Sequence, residues 1–123
     1  MLLDTNIVIH FAKPGGEHLS SWFSDPAAVV SIVTRIEALG FPKISPDEEA
    51  AIKEALSAIP EAGLNDAVAN RAIGLRQQRK MGIGDAIIAA TALVHDLPLV
   101  TRNTGDFEHI AGLRLINPFE PSR

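Results

Sequence analysis

Cysteine is absent from this sequence of 123 residues. The chain can therefore form neither a disulfide framework nor a thiolate zinc site, and it is compatible with a reducing cytoplasm. The sequence also contains no apolar run of about 18 residues or more, and its first residues lack the basic segment and long apolar stretch of a signal peptide. We therefore expect a cytoplasmic protein that is neither exported nor embedded in a membrane.

Positive charge is also scarce. Lysine and arginine together number 11, against 15 aspartate and glutamate residues, and the formal net charge is -4. This balance argues against a broad cationic surface that binds nucleic acid nonspecifically, so any such binding must be local or helped by a bound cation. A glycine-rich phosphate loop is missing as well, and nucleotide hydrolysis of the P-loop kind is therefore unsupported.

Apolar residues, by contrast, make up 46% of the chain, enough for the core of one globular domain over residues 1–123. Strands are predicted at residues 1–4, 27–34, 97–101 and 113–117, with helices between them and a polar tail over residues 118–123. Strands that alternate with helices are typical of a parallel sheet covered on both faces. We therefore predict an α/β fold with three layers, α/β/α, around a short, mostly parallel sheet.

Four carboxylates each follow or open an apolar segment. Asp4 lies at the end of the first predicted strand, Glu37 just past the second and Asp106 just past the third, while Asp85 opens a predicted helix. In parallel sheets, ligand sites lie beyond the carboxyl ends of the strands, near the point where the strand order reverses. Topology alone therefore predicts that three of these acids lie at one edge of the sheet.

Taken singly, most of these acids have a simpler explanation. Glu37 could pair with a nearby surface cation, either Arg35 or Lys43. Asp85 could be a favourable charge in the first turn of its helix, and Asp106 could be a turn residue. Asp4 differs, because an unpaired carboxylate after two leucines is costly to bury. The prediction of a shared site rests on the joint pattern.

A cluster of carboxylates is costly unless a cation neutralises it. Mg²⁺ and Mn²⁺ prefer oxygen ligands, and with a substrate phosphate they can activate water and stabilise the leaving oxygen. The pattern therefore predicts a Mg²⁺ site, with Mn²⁺ as an alternative, that hydrolyses phosphodiester bonds. Three nearby polar side chains could bind the carboxylates or their water molecules: Asn6, Thr101 and Asn103.

Several segments resemble those of PIN-domain ribonucleases, and most closely the toxin subunits of VapBC-type toxin–antitoxin pairs. They occur in the family's order and spacing and span nearly the whole chain. The matching segments are LLDTNIVI at the start, the S-x-x-T-x-x-E of Ser31, Thr34 and Glu37, DAIIAATA from Asp85 to Ala92, and LVTRNTGDF from Leu99 to Phe107.

The resemblance implies a PIN-like fold and a Mg²⁺- or Mn²⁺-dependent endoribonuclease that leaves a 5′-phosphate and a 3′-hydroxyl. It also implies a homodimer and a small antitoxin whose tail blocks the site, often with a basic side chain. Family members often carry a proline shortly before the acid that Asp85 matches, whereas this chain has Gly82-Ile83-Gly84. The residues that match the family's metal-binding and catalytic acids are Asp4, Glu37, Asp85 and Asp106.

An RNA substrate would still need positive charge close to the acids. Arg102 lies between Thr101 and Asn103 and is the best single candidate for a phosphate contact, although it could instead pair with a site carboxylate. Other cations precede Asp85 in a stretch without acids, where they could contact phosphates or simply favour the end of a helix. They are Arg71, Arg76, Arg79 and Lys80.

Two other classes of protein compete with this interpretation. Receiver and haloacid-dehalogenase-type phosphotransfer domains also gather acids around Mg²⁺ at strand ends. Both fit poorly, because the dehalogenase type needs an aspartate where this chain has Asn6, and receivers need a lysine where it has Arg102-Asn103. The second alternative is a catalytically silent PIN-fold interaction module, against which the presence of all four acids argues.

Overall fold

The computed structural model describes residues 1–120, and the last residues of the predicted polar tail, 121–123, lie outside the described residues. Among the described residues, no helix combines the length and apolar character that crossing a bilayer requires. Short 3-10 turns occupy Gly16–Leu19 and Thr104–Asp106. The remaining elements are β1 (Leu2–Leu3), α1 (Thr5–Ala12), α2 (Ser20–Ser24), β2 (Val30–Ser31), α3 (Ile32–Leu39), α4 (Pro46–Leu56), β3 (Glu61–Ala62), α5 (Asp66–Gln78), α6 (Ile83–Val94), β4 (Leu99–Val100) and β5 (Leu115–Ile116).

The strands within residues 1–120 pair in parallel. β1 pairs with β4, β4 pairs with β5, and β2 pairs with β3. A parallel bridge between Leu2 and Val29 joins the two groups, and the Leu3 amide donates to the Val29 carbonyl at 2.9 Å. The strand order across the sheet is therefore β3-β2-β1-β4-β5, and it reverses at β1 and β4. This confirms the predicted short, mostly parallel sheet.

Alternate residues of the strands face two separate apolar cores. Leu2 and Leu99 belong to a core with residues of α5 and α6, whereas Leu3 and Val100 belong to a core with residues of α1 and α4. Because successive strand residues point to opposite faces of a sheet, helices cover both faces. The three-layer α/β/α architecture is thus confirmed.

Capping side chains set where the helices begin. Ser45 accepts a hydrogen bond from the Glu48 amide at 3.1 Å, and the Glu48 carboxylate accepts one from the Ser45 amide at 3.2 Å. These two contacts form a capping box at the start of α4. Asp4 caps α1, since its Oδ1 accepts a hydrogen bond from the Thr5 amide at 2.8 Å. The acid at the end of β1 is therefore fixed by the helix that follows it.

The second strand is shorter than predicted. The β-branched residues over 27–34 predict one strand, but β2 covers only Val30–Ser31 and α3 begins at Ile32. The strand ends there because the Ser31 hydroxyl accepts a hydrogen bond from the Val33 amide at 3.1 Å and caps α3. The sequence also fails to predict β3, an edge strand whose exposed Glu61 gives no apolar signal.

Candidate metal site

The four predicted acids line one cavity of about 270 Å³. Asp4 follows β1, Glu37 lies on α3, Asp85 lies in the first turn of α6, and Asp106 lies in the 3-10 turn after β4. The cavity is beyond the carboxyl ends of β1 and β4, where the strand order reverses. The structure thus brings together side chains from four separate segments of the chain, as the sequence predicts.

Asp4 is the most buried of these acids, with 5% of its surface exposed. Besides the Thr5 amide, it accepts hydrogen bonds at Oδ2 from the Thr101 hydroxyl at 2.8 Å and from the Asn6 amide group at 3.2 Å. The predicted supporting residues Asn6 and Thr101 therefore orient Asp4. Asn103, the third, lines the cavity, and its backbone amide donates to the Thr101 hydroxyl at 3.1 Å.

Burial and mutual repulsion make negative charge costly in this cavity. Burial raises the pKa of Asp4 from 3.8 to about 6, although the hydrogen bonds from Thr101 and the Thr5 amide oppose the rise, and the charges of Asp85 and Glu37 add to it. Burial also raises the pKa of Asp85, with further contributions from the charges of Asp106 and Glu37. A bound cation would favour the ionised form of both acids.

Glu37 is held by Thr5, whose hydroxyl is in turn in contact with Thr34. The Thr5 hydroxyl donates to Glu37 Oε1 at 2.7 Å and lies 3.1 Å from the Thr34 hydroxyl. Arg35, a surface partner that could have explained Glu37 without a shared site, binds Glu61 instead at 2.6 Å. Glu37 is therefore directed toward the cavity by Thr5 rather than paired to that cation.

The other oxygen of Glu37 lies against the first turn of α6 at Gly84. A Cβ atom at Gly84 would stand 2.5 Å from Glu37 Oε2, well inside normal contact distance. The carboxylate therefore occupies the space that a side chain would fill. In the sequence, the Gly82-Ile83-Gly84 segment is a departure from the family pattern, and in the structure Gly84 gives Glu37 room beside Asp85.

The donor set suits a hard divalent cation. Within residues 1–120, no three acidic or histidine side chains stand close enough to ligate one ion directly. However, the cavity offers four carboxylates and no sulfur or imidazole donor among its lining residues. Mg²⁺ prefers such oxygen donors, takes only one or two carboxylates directly and keeps several of its waters. The residues present therefore fit an ion bound partly through water.

Replacing Thr101 with valine tests the support of Asp4. Thr101 is fully buried, so the change removes the hydroxyl while nearly preserving volume. We expect the pKa of Asp4 to rise further, because the lost hydrogen bond favours the ionised carboxylate. The free energy of unfolding should fall by about 1–3 kcal/mol, since buried polar groups lose their partner. An NMR titration of the Asp4 carboxyl carbon and urea denaturation measure the two effects.

Thr91→Val is the matched control for that variant. Thr91 is also buried, but its hydroxyl donates only to the Ile87 carbonyl one turn earlier in α6. We expect a smaller loss of stability and no change in the titration of Asp4. An Asp4 pKa that is the same in Thr101→Val and in the unmodified protein would contradict this assignment of the Thr101 hydroxyl.

The predicted RNA-contacting cations in and just after α5 do not line the acidic cavity. Arg76 and Lys80 line an apolar groove between α5 and α6, where Arg76 Nε donates to the Met81 carbonyl at 3.2 Å. Arg79 is the C-terminal cap of α5, and Arg71 lines a small cavity beside Ile110. Neither cavity shares a lining residue with the acidic one. An RNA contact by these residues stays a prediction.

Arg102 lies beside the acidic cavity and forms no ion pair with its carboxylates. Its backbone amide donates to Asn6 Oδ1 at 3.2 Å, which ties it to a residue that lines the cavity. Its guanidinium contacts His10 and the ring of Phe119, and among residues 1–120 it forms no ion pair. The alternative prediction, in which Arg102 pairs with a site carboxylate, is therefore wrong for this arrangement.

The sequence interpretation assigns no role to Thr5, Thr34 or Gly84, although all three shape the position of Glu37. Thr5 stands between the two predicted site residues of the DTN segment, and Thr34 precedes Glu37 by one helical turn. Their positions next to the predicted acids were the signals in the sequence that could have identified Thr5 and Thr34. Gly84 offers none, because its role depends on a contact with a carboxylate far away in the chain.

These features define a class of α/β proteins with an acidic cavity at the reversal point of a parallel sheet. A family model described as PIN domain matches residues 1–113. The chain belongs to the PIN-domain family, which confirms the resemblance found in its motifs.

Three relatives show how far the similarity extends. A chain in a toxin–antitoxin complex from Klebsiella pneumoniae is 36% identical, and the match covers 98% of both chains with a TM-score of 0.77. A chain of DNA-bound VapBC from Salmonella typhimurium shares the fold, with 24% identity, a TM-score of 0.81 and coverage of 95% of this chain and 96% of the other. The VapC ribonuclease Y4jK of Sinorhizobium fredii is 50% identical over 42 residues, which are 34% of this chain and 29% of that relative.

Proposed function

We propose that this protein is an endoribonuclease that uses Mg²⁺, or alternatively Mn²⁺, to hydrolyse RNA phosphodiester bonds. The observation that carries the proposal is the convergence of Asp4, Glu37, Asp85 and Asp106 on one cavity. Membership of the PIN-domain family supports it, as does the local match to a VapC ribonuclease. We expect products with a 5′-phosphate and a 3′-hydroxyl.

The contacts of Asp4 and Glu37 support a part for each in the proposed reaction. Asp4 has both oxygens hydrogen-bonded and therefore keeps a fixed direction, while Glu37 is held between Thr5 and Gly84. A divalent cation bound here would supply activation of water and stabilisation of the charge on the phosphate. The Asn103 side chain on the cavity wall has an amide group that can donate to a phosphate oxygen.

Cleavage by purified protein tests this function. Structured RNA should be cut in Mg²⁺ or Mn²⁺ and remain intact in EDTA. Asp85→Asn should reduce the rate by at least about 100-fold, because changes of even the outer partners of metal ligands cost about 10–100-fold. Asp66→Asn is the matched control, since Asp66 occupies the first turn of α5 outside the cavity.

Three results would count against this function. Cleavage that persists in EDTA would exclude the metal mechanism, and full activity of Asp85→Asn would exclude this cavity as its site. Failure of the unmodified protein to cut any RNA in either metal would favour the non-catalytic interaction module.

We further propose that the protein is the toxin of a toxin–antitoxin pair, acting in the cytoplasm as a homodimer that a small antitoxin protein inhibits. Support comes from the toxin–antitoxin complex whose chain is 36% identical over nearly the full length of both chains. Expression should arrest growth, and co-expression of a neighbouring small reading frame should restore it. If neither effect occurs, the toxin role is wrong while the ribonuclease activity can still stand.

A further inference from the structure

A second cluster of polar side chains surrounds Phe119 beside the acidic cavity. The Arg102 guanidinium carbon lies 4.7 Å from the centre of the Phe119 ring. The rings of His10 and His18 approach the same ring edge to face, with centroids at 5.2 Å and 5.4 Å. Side chains from α1, from the Gly16–Leu19 turn and from the segment after β4 therefore meet on one residue near the end of the described chain.

The Arg102 side chain is oriented before any ligand binds. Its Nη1 lies 3.0 Å from His10 Nε2, and because arginine has only donors, the histidine nitrogen is the acceptor. The Asn117 amide group donates to the Arg102 carbonyl at 3.3 Å and fixes the backbone as well. The guanidinium is thus held by a ring and a histidine, and this preorganisation leaves less side-chain entropy to lose when an anion binds.

This cluster is a local concentration of positive charge in an acidic chain. Burial lowers the pKa of His10, and the charges of Arg102, Lys13 and His18 lower it further, so these three groups all act on it. Within residues 1–120, Arg102, Lys13 and the two histidines take part in no salt bridge. The charges of Arg102 and Lys13 are therefore available to a ligand, whereas His10 accepts a hydrogen bond from Arg102 and is neutral.

The position of the cluster indicates which ligand it suits. Arg102 follows Thr101, which binds Asp4, and precedes Asn103, which lines the acidic cavity. Arg102 therefore stands where a polyanion bound at the acids can place a neighbouring charge. A guanidinium presents a planar fork of donors that matches two phosphate oxygens.

We propose that Arg102, supported by Phe119 and flanked by His10 and His18, binds a backbone phosphate in a single-stranded segment of the RNA, next to the phosphate that is cleaved. This inference rests on the proposed ribonuclease function and adds a positioning site to it. The acids would repel an approaching RNA, and this cluster would supply the attraction that the overall charge of the chain does not.

Steady-state cleavage in Mg²⁺ tests the site through its effect on binding. We expect Arg102→Gln to raise KM about tenfold and to change kcat little, because a charged hydrogen bond to a phosphate is lost. The slope of log KM against log salt should fall by about 0.7, the value for one phosphate of a single strand. Arg102→Lys should restore part of the affinity, since it keeps the charge without the fork.

Arg114→Gln is the matched control, because Arg114 is exposed and bound to Asp96 outside the cluster. It should leave both KM and its salt dependence unchanged. A KM of Arg102→Gln equal to that of the unmodified protein would overturn the site. A fall in kcat at constant KM would also overturn it, since Arg102 would then act on the acids through Asn6.

A second measurement keeps the site testable if the protein cuts no RNA. In metal-free protein, NMR titration with inorganic phosphate should shift the ring signals of His10 and His18, and Arg102→Gln should abolish those shifts. No response in the unmodified protein would refute phosphate binding itself, independently of any nuclease activity. The same titration can compare a glutamate-rich peptide with a 5′-phosphorylated dinucleotide. If the peptide causes larger shifts at lower concentration, the cluster binds a protein partner and the RNA site is refuted.

Discussion

Asp4→Asn is expected to abolish RNA cleavage and, at the same time, to stabilise the metal-free protein near neutral pH. Asp4 is nearly buried, and its pKa is raised from 3.8 to about 6 in the folded state. This difference corresponds to roughly 3 kcal/mol of destabilisation once the carboxylate is ionised. Asparagine removes that charge, although an amide nitrogen in place of Oδ2 cannot accept the hydrogen bonds that Thr101 and Asn6 donate there, so the gain will be smaller.

The pH dependence of this effect has a defined sign. Between the unfolded pKa near 3.8 and the folded pKa of about 6, the folded state binds more protons than the unfolded state. The unmodified protein should therefore lose stability as pH rises through this window. The melting temperatures of Asp4→Asn and the unmodified protein in EDTA should be similar near pH 4 and diverge by pH 7.

Mg²⁺ should reverse the order of the two melting temperatures, so that the unmodified protein becomes the more stable one. A ligand that binds only the folded state stabilises it in proportion to the logarithm of its concentration over its Kd. The ion should raise the melting temperature of the unmodified protein and have little effect on Asp4→Asn. Asp96→Asn is the control, because Asp96 is an exposed residue with positive φ, where asparagine is well tolerated. If Asp4→Asn and the unmodified protein had equal melting temperatures in EDTA at pH 7, the ionised Asp4 carboxylate would not destabilise the metal-free fold as we expect.

Gly84→Ala is expected to impair the site with little effect on stability. The added Cβ would stand 2.5 Å from Glu37 Oε2, so the carboxylate must move, and its hydrogen bond from Thr5 would break. The obstructing atom is the end of a flexible side chain, and its displacement should cost the fold little. We expect metal affinity and cleavage to fall by about 10–100-fold, as for other changes that misdirect a metal ligand.

Gly74→Ala separates this steric effect from helix propensity. Gly74 lies within α5 and has nothing within 4 Å of the position of an added Cβ. Alanine there should stabilise the protein by roughly 0.5–1 kcal/mol and leave cleavage unchanged. If Gly84→Ala retained full activity and metal affinity, the position of Glu37 against α6 would not matter for the site.

The sequence predicts the fold well where local chemistry decides the structure. The end of β1 at Asp4 and the parallel sheet both follow from short-range patterns and from topology. The second strand was predicted too long, because Ile32 and Val33 are β-branched residues that a helix can also accommodate. A single hydroxyl, that of Ser31, decides where β2 ends and α3 begins.

The sequence predicts the acids of the candidate site, but it does not predict the residues that hold those acids and Arg102 in position. Each acid follows an apolar segment, and segment ends converge in a parallel sheet, so the sequence pattern is informative. The roles of Gly84 and Phe119 depend on contacts with Glu37 and Arg102 across the chain. Such contacts leave no local signal, which explains why the sequence left open whether Arg102 pairs with a carboxylate.

We propose that the four carboxylates of the acidic cavity together bind a divalent cation. Titration of the purified protein with Mn²⁺, followed by the loss of the free-ion EPR signal, tests this claim most directly. We predict saturable binding of one or two ions per chain in the unmodified protein and in Asp66→Asn. In Asp4→Asn, the Kd should be at least about tenfold higher. Absence of saturable binding, or equal affinity in all three proteins, would contradict the claim.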